Sequence, residues 1–179
     1  MLSFLTKKKI DHNRLANVFV NSILDVVDEG FPEVKACIVD DPLFSETPNI
    51  EDKPINHFLM IVIVGNLKNL SNHFSPEDCN ELEPIIKEKL AVVFDRPVEV
   101  IESKIDTYES YMSRVNHPSK NTLYAMSKAV FHKYELNNYQ ESYFKSLQVP
   151  NPIFLKKMDD IMSNFIWDWE AFFKKYKLS

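Results

Sequence analysis

The chain has only two glycines, Gly30 and Gly65, in 179 residues. Globular proteins average roughly 7% glycine, so about a dozen would be ordinary. Glycine takes positive φ freely and lets a ligand come close to the backbone. With two of them, a phosphate-cradling P-loop, a dinucleotide-binding fingerprint and a nucleophile elbow are all excluded. Tight glycine-turned hairpins are scarce for the same reason, which disfavours a large all-β sheet.

The length suits one globular domain over residues 1–179, with a core that hides roughly 70% of the unfolded surface. A net charge of −5 argues against bulk attraction to nucleic acid or anionic lipid. That charge is uneven. Residues 31–107 hold 7 basic and 15 acidic groups, whereas residues 108–179 hold 10 and 7, together with all seven tyrosines and both tryptophans. Cys37 and Cys79 give no disulfide framework, so a reducing cytoplasm is the expected compartment. In Met1–Lys9 the apolar residues precede the lysines, the reverse of a signal peptide. Phe58–Val64, the longest apolar run, is far short of the roughly 20 residues that span a bilayer.

Three-four spacing marks most of the chain as helical. Leu15, Val18, Phe19, Ile23, Val26 and Val27 predict a helix from about Asp11 to Glu29, with Gly30 as its C-cap and Pro32 beyond. Ser75-Pro76-Glu77-Asp78 is an N-cap followed by proline and first-turn acids. The helix it opens runs to about Phe94, bent or restarted at Pro84. Ser119 is expected to cap a helix reaching about Leu136. The stripe Phe154, Met158, Ile161, Phe165, Trp169, Phe172 and Tyr176 predicts one helix from about Pro152 to Tyr176. Two stretches are ambiguous: Phe58–Val64 and Val98–Ile101 are dense in β-branched residues, yet both sit in longer helical patterns. The reading is an all-α domain of six to eight helices. The alternative is α+β, with a small sheet from 33–39, 57–64 and 98–101. Gly65 discriminates: in a helix it needs a close packing neighbour, in a strand it marks an end or bulge.

Motifs for catalysis are thin. None of His12, His57, His73, His117 and His132 has an acid or a second histidine three or four residues before it, and there is no Cys-x-x-Cys. No metal site or cofactor is therefore expected. Ser142-x-x-Lys145 has the spacing of a serine nucleophile and its lysine, but the companion elements of that chemistry are missing. The densest polar cluster is Asn116, His117, Ser119, Lys120 and Asn121 around Pro118. It reads either as a turn leading into a helix or as a small-anion site. In the second case a pocket lined by Tyr108, Tyr111 or Tyr124 is expected. Trp167 lies off the apolar stripe of the last helix and is a candidate interface anchor. The expectation is a non-catalytic module that binds another protein or itself as a homodimer, without nucleic acid or membrane. The alternative is an anion-binding protein or enzyme at residues 116–121.

Overall fold

Asp11 opens the first helix, its carboxylate accepting the Arg14 amide at 2.8 Å and satisfying one otherwise orphaned first-turn donor. The computed structural model describes residues 7–179. It carries this helix, α1 (His12–Val39), straight through Gly30 and Pro32, past the end that the glycine predicts. Neither glycine has positive φ. Gly30 instead faces the Phe165 ring, whose Cζ and Cε1 would lie 2.8 and 2.9 Å from an added Cβ. Phe31, Val34 and Ile38 continue the buried face beyond it. Burying each is worth roughly 1.5–3 kcal/mol, and the three together outweigh the roughly 3 kcal/mol that an internal proline costs.

The chain then crosses from Asp40 to Pro54 without a helix but tied down, with the Ser45 amide bonded to the Tyr139 carbonyl at 2.9 Å and Ile50 buried. It enters α2 (Ile55–Asn69), buried continuously from Met60 to Leu67. A helix apolar on all sides belongs in the middle of a core, and α1, α4 (Val98–Asn116) and α5 (Thr122–Lys133) surround this one. That position explains its strand-like composition. Gly65 has the packing neighbour a helical glycine needs, since an added Cβ would meet Met126 of α5, with Cε at 2.8 Å. The start of α2 lacks a side-chain cap of its own. Tyr134, arriving from the end of α5, accepts the Phe58 amide at 3.2 Å and donates to the Pro54 carbonyl at 2.9 Å.

Ser75 caps α3 (Pro76–Phe94) by accepting the Asp78 amide at 3.1 Å, and the helix continues through Pro84 without restarting. In α4 the buried face is Ile101, Ile105, Tyr108 and Met112, the expected helical pattern. After α5 come the short α6 (Ser142–Leu147), α7 (Pro152–Ser163) and α8 (Trp169–Lys175). The expected single helix from Pro152 to Tyr176 is thus two helices. Two short strands, β1 (Lys8–Ile10) and β2 (Tyr176–Leu178), pair in parallel, with Lys8 opposite Tyr176. Among the described residues the fold is 72% helical with eight helices, and the α+β alternative fails because 33–39, 57–64 and 98–101 all lie inside helices.

Two histidines make this fold acid-sensitive. Burial holds His57 and His132 below the ordinary imidazole value of 6.5, with help from Lys133, Lys104 and Lys53 at His57 and from Lys128 at His132. The folded protein therefore binds fewer protons than the unfolded chain as the pH drops through 6.5, and stability falls with it. We expect the melting temperature to decline from about pH 7 to about pH 5, with a shallower slope in His57→Gln and His132→Gln. A slope unchanged in both variants would refute the assignment. Asp159, raised above 3.8 mainly by burial, acts with the opposite sign at lower pH.

Candidate functional site

The polar cluster at 116–121 is built as a stapled turn. Asn116 is 2% exposed. Its Nδ2 donates to the carbonyls of Ser119 and Asn121 at 3.2 and 2.9 Å, and its Oδ1 accepts from Lys128 at 3.2 Å. The Ser119 hydroxyl accepts the Asn121 amide at 3.1 Å. The helix cap is Asn121 rather than the expected Ser119: its Oδ1 accepts the Tyr124 amide at 3.1 Å, so α5 begins at Thr122. The His117–Pro118 peptide is cis.

This turn borders a cleft of about 530 Å³ between the end of α2, α3, α4 and the start of α5. Asn116, Ser119, Lys120 and Asn121 line it; His117 is exposed on the turn and does not. Nor do Tyr108, Tyr111 or Tyr124, the aromatic lining expected for an anion pocket. The ionisable groups of the cleft balance, with Lys68 and Lys120 against Glu83 and Glu109. Lys68 already pairs with Glu109 at 3.2 Å, and Glu83 with Lys87 at 3.8 Å. An anion would gain little net attraction there.

Trp167 sits in the break between α7 and α8, where counting along one continuous helix does not apply. Its ring is partly buried and packs on Phe19, Trp169 and Phe172 at 5.6–5.9 Å between centres. Asn66 of α2 holds the break open. Its Nδ2 donates to the Phe165 carbonyl at 2.8 Å and its Oδ1 accepts the Trp167 amide at 2.8 Å. Asp168 then caps α8 by accepting the Ala171 amide at 2.8 Å. Packing within the chain accounts for most of this tryptophan's apolar surface.

Sequence reasoning missed a groove between the second half of α1 and α7. It consists of two depressions of about 420 and 450 Å³ that share Cys37 and Ile161. Val26 to Val34 face Ile161 to Phe165, while Ile38 to Pro42 face Phe154 to Met158, so the two helices run antiparallel along it. The floor is apolar. The rim carries Glu29, Glu33, Asp40, Asp41 and Asp160 against one cation, Lys157. Lys157 is held by both oxygens of Asp41 at 3.2 Å. Among the described residues, the other four carboxylates have no cation within 4 Å. The signal for this rim lies in α1: once the helix passes Pro32, Glu29, Glu33 and Asp40 recur on one face.

Elsewhere the catalytic candidates disperse. Lys145 donates to the Asn138 carbonyl at 2.8 Å, and Ser142 lies in a helix with no buried residue. Burial, with Glu83 and Asp78 nearby, raises the Cys79 thiol, the direction opposite to a reactive thiolate. Among the described residues no three His, Cys, Asp or Glu side chains gather as a metal-binding group, and no helix is long and apolar enough to cross a membrane. Compared with models of protein families, with curated proteins and with solved structures, the chain has no significant match.

Proposed function

We propose that this chain is a non-catalytic protein-interaction module whose α1/α7 groove receives a basic amphipathic helix from its partner. The observation that carries the reading is the pairing of an apolar floor with four carboxylates that lack cations among the described residues. From Val26 to Ile38 the groove follows α1 for about 18 Å at 1.5 Å per residue, the length of a helix of about a dozen residues. A helix laid there would bury its apolar face on Val26, Cys37 and Ile161 and set lysines or arginines against Glu29, Glu33, Asp40 and Asp160. Cys37, exposed within the groove, and Cys79 are both free thiols, which fits a reducing compartment such as the cytoplasm. The cleft at 116–121, polar and charge-balanced, offers no comparable selectivity.

A fluorescein-labelled amphipathic Leu/Lys peptide, followed by anisotropy, tests this. Expected is saturable binding that weakens with salt, and that weakens about tenfold or more in the double variant Glu33→Lys/Asp160→Lys, because like charges then face each other. The control Glu88→Lys/Glu102→Lys makes the same change in net charge away from the groove. Equal loss in both variants would reduce the effect to bulk attraction and sink the proposal. Sedimentation velocity on the unliganded protein adds the self-association arm: a dimer abolished by the groove variant would identify the partner as a second copy.

A further inference from the structure

The first turn of α2, the middle of α4 and the end of α5 converge on His57, at a place the groove does not involve. His57 Nδ1 lies 2.6 Å from the Tyr108 hydroxyl. Burial and Tyr111 raise Tyr108, and among the described residues its hydroxyl has no partner other than Nδ1, so it donates there. The neutral imidazole then carries its own proton on Nε2, a free donor.

The charges facing this ring are all positive: Lys133 from α5, Lys104 from α4 and Lys53 from the segment before α2. Lys53 is neutralised by Glu135. The others are not. Lys133 Nζ stands 4.9 Å from the centre of the Tyr108 ring and 4.3 Å from that of Tyr111, with Lys104 Nζ 5.8 Å from the former. Arg114 lies 5.4 Å from the Tyr111 ring. Among the described residues, none of these three cations has a carboxylate within 4 Å. The Lys133 ammonium is itself held low by burial, Lys104 and Arg114. Cation–π contacts of this kind offset roughly 0.5–2 kcal/mol each, but they leave the charge in place. In a chain with a net charge of −5, Lys104 and Lys133, both uncompensated among the described residues, make a locally positive patch beside the imidazole, with Arg114 beyond it at the Tyr111 ring.

We infer that His57, Lys104 and Lys133 form a binding site for a phosphate group, free or carried as a small phosphomonoester. One oxygen accepts from His57 Nε2, and the remaining charge lies against the two ammonium groups. The tyrosines position these donors: Tyr108 orients the imidazole, and its ring and that of Tyr111 hold the lysine heads.

The test is an NMR titration of the His57 ring in the intact protein. Inorganic phosphate and glycerol 2-phosphate are each compared with sodium chloride at matched ionic strength. Phosphate should raise the His57 pKa beyond the rise that chloride gives by screening, and the gain should be saturable. Response to inorganic phosphate alone identifies a free-anion site, and tighter binding of the ester identifies a phosphomonoester site. Lys133→Gln should weaken binding about tenfold or more, the loss of one charge-assisted hydrogen bond. Lys104→Gln, at an exposed position, should do likewise and keeps the test decisive if Lys133→Gln fails to fold. Lys120→Gln in the 116–121 cleft should leave the response unchanged. Equal pKa rises in phosphate and chloride, or a phosphate response that survives Lys104→Gln, would overturn the inference.

Discussion

Asn66→Leu is expected to lower the unfolding free energy by about 2–6 kcal/mol, because it strands two buried backbone groups that each cost about 1–3 kcal/mol when unpaired. Asn66 is 0% exposed, both of its amide hydrogens donate, and its oxygen accepts one bond. Nδ2 donates to the Val62 carbonyl at 2.9 Å as well as to Phe165, and Oδ1 accepts from Trp167. Leucine fits the volume but offers neither donor nor acceptor. The Phe165 carbonyl and the Trp167 amide would lose their partner a hundred residues away, and the α7–α8 break would lose its fixed shape. Chemical denaturation monitored by tryptophan fluorescence is well placed to see it, since both tryptophans adjoin the break. Asn72→Ala serves as the control. It removes only an exposed contact, Asn72 Nδ2 to Asn69 Oδ1, and should stay within about 0.5 kcal/mol of wild type. A loss below about 1 kcal/mol in Asn66→Leu would mean that the two backbone groups find other partners.

Local pattern revealed most of the helices and little of what joins them. The three-four spacing of α3 and α4 and the Ser75 cap were readable because each depends on residues within a turn or two. Gly65 was readable in kind: its packing need follows from being helical, although its neighbour, Met126, lies on another helix. The misread ends of α1 and of the last helix have one physical source. α1 outruns Gly30 because Phe31, Val34 and Ile38 find a core to enter, and the last helix breaks at 164–168 because Asn66 supplies the hydrogen bonds that a continuous helix would have made. Phe165 links them, with its ring against Gly30 and its carbonyl on Asn66. The sites behave likewise. Residues 116–121 were visible as a dense polar cluster, and four of the five do line a cleft. The groove was hidden, since Glu33 and Asp160 are remote in sequence and its acidic face existed only after α1 was extended. The His57 cluster needs three helices to form at all.

Trp169→Ala should cost about 3–5 kcal/mol, the range for removing a fully buried large aromatic. The effect should also spread to the far end of the chain. Trp169 is 1% exposed. It stacks on Phe19 of α1 at 5.5 Å and meets Phe74, just before α3, edge-on at 4.7 Å, with Phe172 and Phe173 of its own helix at 5.7 and 5.9 Å. α8 has seven residues, too few to persist without packing, and β2 follows it directly. Losing the ring should therefore loosen β2 and, through the Lys8–Tyr176 register, β1 at the beginning of the described chain. Amide exchange at Lys9 and Ile10 should accelerate more than that of α2, where Ile61 and Val62 are held by the central core. Trp169→Phe separates ring packing from the indole N–H. Among the described residues that N–H is buried without a partner, so phenylalanine removes an unsatisfied donor while keeping most of the stacking, and its cost should be well below that of alanine. If phenylalanine proved as damaging as alanine, the indole N–H would be making a bond that sustains the cluster. If exchange at Lys9 stayed slow in Trp169→Ala, β1 would be anchored by Ile10 and the α1 cap independently of α8.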